Sequence, residues 1–79
     1  MWIRNQKRGM LLNLDNNTTQ ICIDLCNYEI YAVIDYDNYE LGVYSSYSKA
    51  KKVMDKIEWY FGNKSCNVFS MPQDDEVEV

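Results

Sequence analysis

Side chains that commonly carry catalysis are scarce in this chain of 79 residues. It contains no histidine, which is the commonest general base and the commonest metal ligand in proteins. No serine or cysteine lies in a recognisable nucleophile motif, and the sequence has no glycine-rich phosphate loop. Without histidine, acid–base catalysis would need a pair such as two carboxylates. With 12 acidic residues some such pair is always available, so its presence is no evidence for catalysis. We therefore predict that the protein is not an enzyme and uses no cofactor.

Three side chains near the start of the chain have the chemistry of a ligand-binding strip. Trp2, Arg4 and Gln6 are each two residues apart, so a strand would place them on one face. The tryptophan offers an aromatic face, the guanidinium can hold a phosphate or a carboxylate, and the amide offers a donor and an acceptor. The alternative is an outer strand face on which Trp2 packs against the C-terminal strand.

Neither the cysteines nor the acidic turn at residues 35–40 favours a metal site. Three cysteines, Cys22, Cys26 and Cys66, leave a zinc site one ligand short, and we expect free, mostly inert thiols. The acids of residues 35–40 resemble part of a calcium loop but lack its twelve-residue pattern with a glycine at the sixth position. Turn chemistry explains them better, because Asp and Asn side chains bond their own backbone.

The charge distribution is uneven. A net charge of −4 argues against nucleic acid as a partner. Residues 15–40 hold acids and no base, and residues 74–79 form an acidic tail. Lys49, Lys52 and Lys56 follow one side of the predicted helix. They are either a solvated face or a site for a phosphate or an acidic partner.

The chain is long enough for one domain, which we place at residues 1–73, followed by the acidic tail at 74–79. No apolar run approaches the roughly 18 residues of a membrane span. The opening Met1–Arg4 is too short and polar for a signal peptide. We expect a cytoplasmic protein with no membrane partner.

Alternation and turn residues predict strands separated by short links. Gly9 is expected at positive φ in the first turn, and Gly42 is expected to mark a bulge or a close backbone approach. The strand at 28–35 is apolar on both faces, so its phase stays open. The predicted strands are 2–6, 10–14, 19–26, 28–35, 39–44 and 67–71. The predicted class is α+β, with a single antiparallel sheet of about five to six strands (β-β-β-β-β-α-β) and one amphipathic helix on one face.

The helix is the clearest element of the sequence. Ser46 is a suitable N-cap, and Gly62-Asn63 supplies the end. Residues at helical spacing predict one buried stripe: Tyr47, Ala50, Val53, Met54, Ile57 and Phe61. Trp59 lies about 200° from Ile57 around the helix, outside that stripe. We predict a homo-oligomer with Trp59 and Tyr60 at its interface; the alternative is that Trp59 covers the sheet edge or the tail.

Several segments resemble small proteins encoded by phages and prophages of Firmicutes. The opening Met1-Trp2-Ile3-Arg4-Asn5-Gln6 is similar to the M-W-I-R-x-Q start of those proteins. The segment 41–46 followed by the helix resembles their L-G-x-Y-x-[ST] strand and capped helix, and residues 69–72 resemble their aromatic-x-M-P end. The stretch 15–40 is not covered by any of these motifs. The family has no established general activity.

The resemblance implies a role against host defence in a bacterial cell. We predict a non-catalytic module that sequesters a nucleotide-type immune signal, such as a cyclic dinucleotide or an ADP-ribose derivative. Its predicted ligand site comprises Trp2, Arg4, Gln6, Tyr44 and Phe69. The alternative is an inhibitor or regulator that binds a host defence protein through its acidic surface.

Overall fold

The computed structural model describes residues 2–14, 19–62 and 68–78, which form one helix and six short strands. The α+β class is confirmed. The elements in chain order are β1 (Trp2–Arg4), β2 (Leu11–Asn13), β3 (Gln20–Asp24), β4 (Glu29–Ile34), β5 (Asp37–Val43), α1 (Tyr47–Gly62), β6 (Val68–Ser70) and a 3-10 helix (Asp74–Glu76). Among these described residues, no helix is long and apolar enough to cross a membrane.

The strands form two sheets of three strands each, and the predicted single sheet of five to six strands is not confirmed. Sheet 1 has the order β2-β1-β6, and sheet 2 has the order β3-β4-β5. Strand β1 pairs antiparallel with β2 but parallel with β6, while both pairings within sheet 2 are antiparallel. Strand β6 follows the helix in the chain, so its parallel pairing with β1 brings the N-terminal and C-terminal segments side by side.

The first turn corrects one expectation. Positive φ occurs at Arg8, with φ of 65°, and no described glycine has positive φ, so the assignment to Gly9 was wrong. The side-chain oxygen of Asn5 accepts a hydrogen bond from the Met10 N–H at 2.9 Å, and the Arg8 N–H donates to the Asn5 carbonyl at 3.0 Å. These contacts close the turn between β1 and β2.

Sheet 2 settles the phase of its central strand. Ile30 and Ala32 are fully buried, whereas Tyr31 and Val33 on the opposite face are only half-buried. Ile30 pairs with Gly42 but Tyr31 pairs with Glu40, so β5 carries one extra residue at this point. The bulge predicted around Gly42 is therefore confirmed.

Gly42 also lies where the backbone approaches other groups closely. A Cβ atom at this position would lie 3.1 Å from the Tyr44 hydroxyl and 3.3 Å from the Gln6 Cβ. Both distances are shorter than ordinary carbon contacts. A side chain at this position would require Tyr44 or Gln6 to shift by a few tenths of an ångström, which glycine avoids.

Helix α1 begins and packs largely as its sequence predicts. The Ser46 hydroxyl accepts a hydrogen bond from the Lys49 N–H at 3.2 Å, which confirms the N-cap. The stripe is confirmed at its centre, where Ala50, Val53 and Ile57 are buried and Met54 packs partly against them. Both ends correct the prediction, because Tyr47 and Phe61 remain largely exposed. Tyr60, rather than Phe61, packs against the core at the end of the helix.

Candidate functional site

Gln6, one of the predicted ligand-binding residues, joins β5 to the C-terminal segment. Its side-chain oxygen accepts from the Val43 N–H at 2.9 Å, and its Nε2 donates to the Val43 carbonyl at 3.1 Å. The same Nε2 lies 3.3 Å from the Pro72 carbonyl, and the Gln6 backbone N–H donates to the Leu41 carbonyl at 2.6 Å. The Gln6 amide thus pairs with part of the outer edge of β5, where none of the described strands is paired with it.

Tyr44 belongs to the same junction. Its side chain is 2 % exposed, and its hydroxyl donates to the Pro72 carbonyl at 2.8 Å. Burial, together with the Asp74 and Glu76 carboxylates, raises the pKa of the Tyr44 phenol above its ordinary value. The residue is therefore held as a neutral hydrogen-bond donor. We call Gln6, Val43, Tyr44 and Pro72 the Gln6 junction.

Phe69 lies inside the protein, at the end of a short series of aromatic rings. It is buried, and its ring meets the edge of Tyr60 with centroids 4.9 Å apart. Tyr60 in turn meets Trp59 with centroids 5.2 Å apart. Trp59 is 58 % exposed, as its place on the helix predicts. The series connects a solvent-exposed indole to the core.

Trp2 and Arg4 are the only members of the predicted ligand set that share an exposed face. They flank the fully buried Ile3, so both point away from the core. Phe69 pairs with Ile3 and lies on the inner face, while Tyr44 and Gln6 are used in the junction. The Arg4 guanidinium makes one long contact, 3.5 Å, with the Arg8 carbonyl.

Two apolar residues that the sequence analysis did not single out share this face. Leu11 pairs with Arg4 on one side of β1, and Val68 pairs with Trp2 on the other. The side chains of Trp2, Leu11 and Val68 are 41 %, 43 % and 46 % exposed. This face holds even-numbered residues in β1 and β6 but an odd-numbered residue in β2. The sequence therefore shows that these residues share a face only once the pairing register of the strands is known. We call Trp2, Arg4, Leu11 and Val68 the outer face of sheet 1.

The helix lysines bind the acidic C-terminal segment of the same chain. Lys49 Nζ donates to the Asp74 carbonyl at 2.9 Å and lies 3.5 Å from its carboxylate, and Lys52 donates to the Glu78 carbonyl. The Asp74 carboxylate also accepts from the Ser45 N–H at 2.8 Å, and this bond is the main cause that lowers the pKa of Asp74. Val77 is buried beside them.

The C-terminal segment therefore packs on the domain through both charge and apolar contact. The alternating acids and valines of its sequence are the signal for this arrangement. Sequence reasoning considered an acidic partner for the lysines but not one within the same chain. Lys56, the third of the helix lysines, is exposed and makes no salt bridge with the residues described.

The cysteines and the acidic turn offer no metal geometry within the described part of the chain. Cys22 is half-buried, Cys26 is exposed, and both are free thiols; Cys66 lies outside the described residues. Asp35 and Tyr36 adopt positive φ, at 50° and 71°, and reverse the chain between β4 and β5. No group of three or more potential ligands was found among residues 2–14, 19–62 and 68–78.

No protein-family model matches this chain, and no curated protein or solved structure matches it either. Its surface offers a sheet face with three exposed apolar side chains beside the polar Arg4, Asn13 and Ser70, and an exposed indole in the last turn of the helix.

Proposed function

We propose that the protein is a non-catalytic binding module that contacts another protein through the outer face of sheet 1. One observation carries this proposal: three large apolar side chains, Trp2, Leu11 and Val68, are exposed together beside Arg4. The polar residues Asn13 and Ser70 lie on the same face, and exposed apolar side chains rimmed by polar residues are typical of an interaction surface.

The shape and composition of this face favour a protein over a small molecule. Small-molecule sites are concave, whereas these residues lie on one side of a three-stranded sheet. Tryptophan and arginine are also the residues that contribute most often to protein–protein binding energy. We therefore expect Trp2 to lie near the centre of the contact and Arg4 to pair with an acceptor of the partner.

The resemblance to small phage and prophage proteins supports a host defence protein as the partner, and hence action in the bacterial cytoplasm. The net charge of −4 supports a partner with a basic surface, because opposite charges accelerate encounter. The acids of the C-terminal segment contribute less to this attraction than their number suggests, since Asp74 is paired with Lys49.

The second candidate is sequestration of a nucleotide-type immune signal. Trp2 and Arg4 support it, because an indole stacks on a base and a guanidinium binds phosphate. A cyclic dinucleotide or an ADP-ribose derivative would then lie across β1. This candidate is the weaker of the two because fewer side chains are left to bind the nucleotide. Gln6 and Tyr44 are hydrogen-bonded to the backbone, and Phe69 packs against Tyr60.

Self-association through the end of the helix is a further part of the proposal. Trp59 is more exposed than Trp2, and Tyr60 supports its ring from the core side. A two-fold contact would cover two indoles at once and would add buried surface to a small domain. Light scattering on the wild type and Trp59→Ser tests it; a wild type that stays monomeric at high micromolar concentration contradicts it.

The contact surface is tested with Trp2→Ser and the control Leu25→Ser. Leu25 is also a large exposed apolar residue but lies in the turn after β3, away from sheet 1. Tagged wild type, Trp2→Ser and Leu25→Ser are incubated with lysate of a phage-sensitive bacterium, and bound proteins are quantified. We expect one host protein to be lost with Trp2→Ser and retained with Leu25→Ser. Equal capture by both variants contradicts the proposed face.

The nucleotide candidate needs a separate measurement. Thermal shift with cyclic dinucleotides and ADP-ribose detects binding, since a ligand of the folded state raises its apparent stability. A shift that disappears in both Trp2→Ser and Arg4→Gln supports sequestration over protein binding. No shift with any of these compounds removes the second candidate and leaves the first standing.

A further inference from the structure

A cleft lies between helix α1 and the beginning of β3, on elements other than those of the outer face of sheet 1. Its volume is about 350 Å³, within the range of roughly 300–1,000 Å³ found for small-molecule sites. Its apolar walls include Leu14, Ile21, Met54 and Phe61. Phe61 is one of the two stripe residues that the core leaves largely exposed, so its ring is available to line this cleft.

Among the described residues that line the cleft, Thr19 and Glu58 carry polar side chains, and both can accept a hydrogen bond. The Thr19 hydroxyl is buried and has no hydrogen-bond partner among the residues that the structure describes. Leaving a buried hydroxyl unpaired is unfavourable, so a ligand group that reached it would be favoured. Glu58 is exposed and adds a carboxylate to the lining, which attracts N–H donors and repels anions.

We propose that this cleft binds a small apolar molecule that carries an N–H donor. The apolar body would contact the aliphatic and aromatic walls, and the N–H would be directed to Thr19 or Glu58. Anionic molecules of the same shape would bind more weakly because of the Glu58 carboxylate. This site is independent of the proposed protein contact, which involves β1, β2 and β6.

Two related dyes form a matched pair of probes. N-phenyl-1-naphthylamine is neutral, apolar and has one N–H; its 8-sulfonate has the same rings and an added negative charge. Both gain fluorescence when they leave water, so each is titrated into the full chain. We expect the neutral dye to bind more tightly than the sulfonate, and Glu58→Gln to reduce the difference between them.

The decisive variant is Thr19→Val, which keeps the shape of the side chain and removes the hydroxyl. We expect the dissociation constant of the neutral dye to rise about three- to tenfold, as for one lost hydrogen bond. Without dye, the same variant should melt at the wild-type temperature or higher, since no intramolecular bond is lost. Leu25→Ser, an exposed apolar position outside the cleft, should leave both dye affinities unchanged.

Three results would overturn the proposal. The first is that the neutral dye does not bind at high micromolar concentration. The second is equal affinity in wild type and Thr19→Val, which places the dye elsewhere on the surface. The third is a loss of affinity in Thr19→Val that is accompanied by a lower melting temperature, which assigns the hydroxyl a structural role. None of these results depends on whether a protein binds to sheet 1.

Discussion

At the Gln6 junction, side-chain polar groups are hydrogen-bonded to the backbone of distant segments, whereas on the outer face of sheet 1 apolar side chains are exposed to solvent. Gln6 and Tyr44 both bond to the backbone of Pro72, and Gln6 also bonds to Val43. On the other surface, the side chains of Trp2, Leu11 and Val68 are apolar and 41–46 % exposed. Residue type alone therefore does not separate binding residues from structural ones.

The contrast has a physical explanation. The Gln6 amide lies within reach of two backbone segments and pairs with both, so the fold uses it to join them. An apolar ring on the solvent side of a small sheet has no second layer to cover it, because a domain of this size builds only one core. Such a ring contributes little to folding and is available for contact with a partner.

The largest expected effect lies in the core beneath both regions. Ile57→Ala removes a buried branched side chain from the centre of the helix stripe. We expect the free energy of unfolding to fall by about 2–5 kcal/mol, measured by urea denaturation. Exposed Lys51→Ala on the same helix serves as the control. A change below about 0.5 kcal/mol at Ile57 would mean that the helix face is misassigned.

The next effect tests the structural role of the junction. Gln6→Ala removes the side-chain bonds to Val43 and Pro72, and we expect a loss of about 2–3 kcal/mol at roughly 1 kcal/mol per bond. Gln20→Ala, at an exposed position of β3, should cost under about 0.5 kcal/mol. If the two variants are equally stable, Gln6 does not join the two regions and returns to the predicted ligand set.

A smaller effect, with a characteristic pH dependence, is expected at Tyr44. Tyr44→Phe removes the bond to the Pro72 carbonyl and should cost about 1 kcal/mol at pH 7. Because burial raises the pKa of this phenol, the folded state holds its proton more tightly than the unfolded state does. That contribution is complete below about pH 10 and is lost as the pH rises further.

The wild type should therefore lose stability more steeply than Tyr44→Phe above pH 10, and the two curves should approach each other. Tyr31, whose pKa is also raised, chiefly by Cys22, is present in both proteins and cancels in the comparison. Parallel curves across this range would contradict the burial of the Tyr44 hydroxyl. Denaturant titrations at several pH values provide the measurement.

The smallest stability change is expected on the outer face of sheet 1. Leu11→Ser should alter the free energy of unfolding by less than about 0.5 kcal/mol, because the side chain is largely exposed. The same change should weaken binding to the captured host protein. A large loss of stability would show that this face is covered in the protein itself, and the contrast with the junction would not hold.

The local elements of this protein follow from short-range sequence features. Ser46 and the spacing of Ala50, Val53 and Ile57 specify the helix, its start and its buried side, because these features depend on neighbours within a few residues. Gly42 likewise marked the bulge, and the position of Trp59 outside the stripe predicted its exposure.

The way in which distant segments meet became visible only in the folded protein. The division into two sheets, the parallel pairing of β1 with β6 and the packing of Val77 all join residues far apart in the chain. Local periodicity does not specify such pairings, since each strand offers hydrogen-bonding groups on both edges. The same limit applies to Gln6 and Phe69: a side chain becomes structural or available for binding according to what the rest of the chain places beside it.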